Sequence, residues 1–298
     1  MKQHLDGQTV AAALTTLILW ASAFPATRAA LTTFAPLHLV LGRFLVASFC
    51  YASYLLWARP KGPQGRAWLA VGALGGLGIS VYHTAFAAGL RTITAATASV
   101  VIVSVPVFSA LIARFARDER LSTRAWLGIG VCFIGAAVIV LSRGGGGGLS
   151  LNIGALLILI AAIATSLYFV LQRPFTARIG PLAFTAYSTI MGTIPLLGFW
   201  PGFIEATTSA PPAQVAVVVY MGVFPSAIAN MLWFYALERA PAGQVTSFIF
   251  LQPILVMIMA WAWLGEIPPL EAYIGGLFTI GGMALVTLKG RRDSAPSS

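Results

Sequence analysis

Apolar residues in this chain come in long, nearly unbroken runs rather than alternating with polar ones. Runs near the length of a bilayer-spanning helix, about 20 residues, cover 9–31, 36–57, 66–89, 94–115, 123–141, 151–172, 181–200, 213–237, 243–264 and 271–289. Charges and helix breakers collect between them: Pro60-Lys61-Gly62-Pro63, Arg117-Asp118-Glu119-Arg120, the glycines Gly144 to Gly148, Pro211-Pro212 and Pro268-Pro269. The runs are too long for barrel strands and show no period of two, so β structure is excluded. The pattern predicts an all-α polytopic membrane protein with ten transmembrane helices. Val10–Trp20 followed by Ala21-Ser22-Ala23 imitates a secretory leader, but the apolar run continues past Ala23, which opposes cleavage there.

Composition agrees. Hydrophobic residues make up 58% of the 298 and charged residues 9%, against about 25% charged in soluble domains. A soluble fold of this size could not hide so much apolar surface. Two cysteines, Cys50 and Cys132, both inside apolar runs, exclude a disulfide framework or a thiolate metal site. The net charge of +10 does not point to nucleic acid, because the basic residues lie between spans. With the N-terminus in the cytoplasm, 14 of the 18 Lys and Arg fall on the cytoplasmic side. Arg28, Arg91 and Arg143 fall on the other side, and Arg43 lies inside the second span. That bias sets both termini in the cytoplasm. A polar tail over 291–298 reads as disordered.

The two halves match each other. At an offset of 147, Phe86 falls on Trp233, Leu90 on Leu237, Ala95 on Ala242, Pro106 on Pro253, Glu119 on Glu266, Gly128 on Gly275 and Gly135 on Gly282. At 145, Phe24 meets Phe169, Arg28 meets Arg173 and Pro36 meets Pro181. Proline, glutamate and glycine kept in register make a repeat signal. The chain divides into a first repeat, 1–143, a Gly-rich linker, 144–150, a second repeat, 151–290, and the tail. Five helices is an odd number, so the second repeat enters the membrane from the opposite side. Inverted repeats suit a carrier that alternates between two mirror-related states.

The same residues resemble the drug/metabolite transporter superfamily, EamA type. Trp20-Ala-Ser-Ala-Phe24, Arg43-Phe44, and the stretch from Ala95 through Pro106 to Glu119-Arg-Leu121 and Trp126-Leu-Gly128 carry the likeness in the first half. Tyr235-Ala-Leu237, Pro253, Leu264-Gly265-Glu266 and Gly275 carry it in the second. Leu-Gly-Glu is intact only in the second copy; the first reads Arg117-Asp118-Glu119. The resemblance implies a ten-helix carrier of a bacterial inner membrane. It also implies export of small organic metabolites, with amino-acid and aromatic amino-acid exporters as one home.

Several intramembrane residues are candidates for transport. Pro106 and Pro253 sit near the centres of helices 4 and 9, where a proline removes a backbone hydrogen bond and kinks the helix. Pro225 in helix 8 has Gly78 in helix 3 as its mate. Such paired breakers read as hinges, against the alternative that they only shape packing. His83 maps onto Asn230, one turn before the aromatic pair Phe86 and Trp233; Ser99 maps onto Thr246 and Thr97 onto Gln244. Polar groups at this depth face a cavity or another helix, although a Ser or Thr more often bonds back to its own helix. Gln252 stands beside Pro253. Trp20, Tyr82 and Tyr168, with Phe250, would give the cavity aromatic walls, suited to an amphipathic or aromatic solute. Trp57, Trp68, Trp126 and Trp200 fit an interfacial belt instead. Arg43 could bind a carboxylate, snorkel to the interface or pin a carbonyl. The small residues Gly128, Cys132 and Ala136 mark a close-packing face of helix 5, internal or a homodimer contact.

All eight acidic residues lie at span ends or in loops, which disfavours a buried carboxylate proton relay and leaves His83 as the titrating group at depth. The sequence contains no phosphate-binding loop for an ATP motor and no hydrolase signature. No cofactor or metal is expected. Of the competing classes, an intramembrane enzyme would need a nucleophile or metal cluster, and none is visible; it and a non-transporting scaffold have less need of inverted repeats. The partners expected are a small-molecule solute and the lipid bilayer.

Overall fold

A computed structural model describes residues 6–117, 122–141, 151–240, 244–245 and 248–287. Among these every regular element is helical. Ten helices form the bundle: α1 (Gly7–Ala30), α2 (Pro36–Ala58), α3 (Ala67–Gly89), α4 (Ala95–Ala116), α5 (Thr123–Val140), α6 (Ile153–Leu171), α7 (Pro181–Phe199), α8 (Pro212–Arg239), α9 (Phe248–Leu264) and α10 (Leu270–Thr287). The first eight are long and apolar enough to cross a membrane; the last two are shorter apolar helices. The short helices Arg173–Ile179 and Phe203–Thr208 lie in connections. The Gly-rich linker and the tail fall outside the described residues.

The ends follow local chemistry. Asp6, Thr94, Ser122 and Asn152 each accept a backbone N–H in the first turn of α1, α4, α5 and α6, satisfying donors with no partner inside the helix. The bonds from Thr9 hold the Asp6 carboxyl below the usual carboxylate range. Proline opens α2 and α7, where its missing N–H is harmless.

Besides α7, whose last turns, Pro195–Phe199, are 3₁₀, two matched pairs of helices are interrupted. Gly76–Val81 in α3 and Phe224–Ile228 in α8 are single π-helical turns, and Gly78 and Pro225 are mates at the offset of 147. In α4 the helix stops at Ile102 and restarts at Val105. In α9 a 3₁₀ turn, Phe248–Leu251, precedes Gln252–Leu264. Pro106 and Pro253 are therefore not interior kinks. Each is the second residue of a new helical segment, where a missing N–H removes no hydrogen bond. Ser166 Oγ lies 3.0 Å from Val105 O, so α6 supplies a donor beside the break in α4.

Close contacts repeat with the same symmetry. A Cβ on Gly135 would strike Gly275 O and one on Gly282 would strike Gly128 O, so α5 and α10 cross through mated glycines. This assigns the small-residue face of α5, with buried Cys132, to internal packing. Likewise Gly222 of α8 lies on Arg43 O of α2, and its mate Gly75 of α3 lies on Ser188 O of α7.

A charged knot ties segments together at the end of the bundle opposite the N-terminus. Arg28, in the last turn of α1, pairs with Glu266 and donates through Nη1 to Leu90 O and Ile93 O, while Glu266 accepts from Ala95 N at 3.0 Å. The knot joins α1, the α3–α4 connection, the start of α4 and the α9–α10 connection.

Candidate solute-binding site

The polar centre of the bundle is built on one stripe of α2. Arg43, Ala47 and Tyr51 are four residues apart, so they share a face. That face meets the π-turn of α8. Arg43 Nε donates to Ser226 Oγ at 2.8 Å, and Ser226 Oγ donates to Met221 O, five residues back, at 2.9 Å. Tyr51 Oη donates to Ser226 O at 2.9 Å. Asn230 Nδ2 donates to the same carbonyl at 2.9 Å and lies 3.2 Å from Tyr51 Oη. A helix that changes pitch leaves carbonyls poorly served; here Tyr51 and Asn230 serve one of them.

α3 supplies the other wall. The His83 ring packs between Phe44 and Tyr82, with centroids 4.4 and 4.3 Å away. Its Nδ1 is buried and has no hydrogen-bond partner among the described residues. Tyr82 lies 5.9 Å from Phe86, which meets Phe24 of α1 edge-on at 5.0 Å. The guanidinium carbon of Arg43 lies 5.4 Å from the centre of the same Phe44 ring. The result is a guanidinium, an unpartnered imidazole nitrogen and an amide among aromatic rings. Such a site can hold a small solute with one polar end and one apolar end.

Other expected residues lie around this centre or apart from it. Trp20 and Trp233 pack together at 5.1 Å between α1 and α8, with Trp233 one turn from Asn230. Tyr168 of α6 fills the space left by the missing side chain of Gly78 and lies 3.1 Å from Ser188 Oγ of α7. Ser99 donates back to Ala96 O at 2.7 Å, within its own helix. Gln252 is buried beside Pro253 at the restart of α9. Thr246 lies outside the described residues. Trp57, Trp68, Trp126 and Trp200 are exposed on the bundle surface.

Sequence reasoning named Arg43 of α2 but missed the residues that act with it. Phe44, Tyr51 and Ser226 all bear on the centre. The i, i+4, i+8 spacing of Arg43, Ala47 and Tyr51 could have flagged Tyr51. No local signal links Arg43 to Ser226, 183 residues away.

The sequence matches the EamA-like transporter family twice, over residues 8–141 and 152–288, one match per repeat. The chain belongs to the EamA-like transporter family. Among its relatives, an uncharacterized transporter, YdfC, of Bacillus subtilis is 34% identical over 91% of this chain and 88% of the relative. A probable terminal-alkyne amino-acid exporter of Streptantibioticus cattleyicolor is 34% identical, with 97% of both chains covered. One solved crystal structure aligns with a TM-score of 0.64 at 21% identity, over 96% of this chain and 99% of that one, and so shares the fold. This EamA-family chain is thus a multi-pass membrane transporter built from two repeats.

Proposed function

We propose that this EamA-family transporter exports small organic metabolites, namely amino acids with apolar or aromatic side chains, from a bacterial cell. It sits in the inner membrane with both termini in the cytoplasm, as the Lys and Arg bias predicts. The solute occupies the centre formed by Arg43, Tyr82, His83 and Asn230, and the repeats rock about the paired π-turns of α3 and α8. One observation carries this reading: a buried polar cluster lies against the π-turn of α8, the repeat mate of the π-turn of α3. π-Turns concentrate at functional sites, and intramembrane polar groups are expensive unless used. The relative named as a probable amino-acid exporter supports the choice of solute. With the knot at Arg28 and Glu266 formed, the face opposite the termini is the closed one. His83 acts as a hydrogen-bonding group, and export runs down the solute's own gradient.

Purified protein in liposomes tests this directly. Radiolabelled leucine, methionine, phenylalanine and tryptophan are expected to equilibrate faster than in empty liposomes, with flux dependent on His83 and Asn230. No protein-dependent flux of any of the four would end the reading.

A further inference from the structure

We infer that Arg43 is the anchor for the solute's carboxylate, so that the transporter selects solutes by a negative charge at one end; this rests on the carrier reading above. Three observations converge. First, Arg43 is 7% exposed, too enclosed for a side chain snorkelling to the interface. Second, its hydrogen bonding is one bond, from Nε to a neutral hydroxyl, and it caps no carbonyl. The four N–H groups on its two Nη atoms have no hydrogen-bond partner among the described residues, although a guanidinium offers a planar fork matched to a carboxylate. Third, it has no counter-charge among the described residues. The described acidic residues are Asp6, Glu205, Glu238, Glu266 and Glu271, all at helix ends or in connections, and Glu266 is taken by Arg28.

A buried cation with no anion is held at high cost in an apolar interior. A carboxylate arriving with the solute supplies the missing charge, which makes Arg43 the strongest attraction the site can offer. The neighbouring groups complete the chemistry. The unpartnered Nδ1 of His83 lies beside Phe44, which follows Arg43 in the chain. It can accept from an amino group next to that carboxylate when the imidazole proton is on Nε2. Phe44, Tyr82 and Phe86 then meet the side chain. Ser226 belongs to the π-turn of α8 and accepts from Arg43 Nε, so occupation of the guanidinium is felt at a proposed hinge.

The test compares each of the four amino acids with its amide and its decarboxylated amine, as protein-dependent flux in liposomes. The acids should move at least tenfold faster than amide or amine. Arg43→Gln should abolish that preference, and Arg43→Lys should keep part of it, since an ammonium retains the charge without the fork. Ser226→Ala removes the bond that holds Nε but not the charge, so it should keep the preference even if rates fall. Detergent unfolding temperatures identify variants that fail to fold, and the wild-type preference stands as a test without them. Equal flux of acid, amide and amine in the wild type, or an acid preference that survives Arg43→Gln, would overturn the anchor and leave the carrier standing. Absence of flux for every compound would overturn both.

Discussion

At the scale of single residues, the centre of the bundle separates groups that are satisfied from groups that are waiting. Asn230 and Tyr51 spend their hydrogen bonds on each other and on Ser226 O. His83, the mate of Asn230, leaves Nδ1 with no partner among the described residues. The two mates thus differ: Asn230 bonds to the π-turn of α8, while His83 keeps a nitrogen free for the proposed solute. His83→Asn keeps a donor and an acceptor and should retain partial transport. His83→Ala should lose about 1–3 kcal/mol of solute interaction, roughly a tenfold to hundredfold rise in the transport KM, read from liposome flux. Equal failure of both variants would mean that His83 carries a proton. Gly75 makes a different kind of residue-scale demand. Its missing side chain lets α3 lie against Ser188 O of α7. Gly75→Ala is expected to lower stability by about 1–3 kcal/mol through overpacking, measured by unfolding in detergent.

Elements are where the sequence was most legible, and where its limits show. Ten apolar runs and the offset of 147 were enough to draw the bundle, because length and repeat register are one-dimensional properties. The breakers Gly78, Pro106, Pro225 and Pro253 were visible too, but not what they do. A proline can kink a helix or open a new one, and only the path of the chain before it decides. Here Val103-Ser104 and the 3₁₀ turn at Phe248–Leu251 interrupt the helices first. The stripe of α2 was hidden for another reason: its meaning depends on Ser226, far along the chain. Likewise Ser99, a mate of Thr246 on paper, turns back on its own helix. The prolines set up a test at this scale. With Pro106→Gly or Pro253→Gly, the restart loses its fixed φ and gains freedom. Transport should fall several-fold while the unfolding temperature changes little, because the prolines remove no interior hydrogen bond. Normal flux at normal membrane levels in both variants would return the prolines to packing.

For the whole molecule, inverted symmetry predicts responses of opposite sign. The knot of Arg28 and Glu266 fastens the end opposite the N-terminus across both repeats. At offsets of 145 and 147 its mates are Arg173 and Glu119; Glu119 lies outside the described residues. A carrier that exchanges its two halves should use Arg28 to hold one end and Arg173 to hold the other. The ion pair is partly exposed, so it contributes about 0–1 kcal/mol, and each bond to a carbonyl contributes about 0.5–1.5 kcal/mol more. Losing roughly 1.4 kcal/mol from one state shifts a two-state population about tenfold. Ala21, buried in the cluster with Phe24, Phe86 and Leu90, offers a reporter in a background with Cys50 and Cys132 replaced by Ser. Labelling of Ala21→Cys by an impermeant maleimide applied from the outer face should rise about tenfold with Arg28→Gln. It should fall with Arg173→Gln, which removes a hold on the opposite end and so favours closure outside. The double variant should label near the wild-type rate. If Arg28→Gln and Arg173→Gln both raise labelling, they merely loosen the bundle, and the two arginines are not opposing latches.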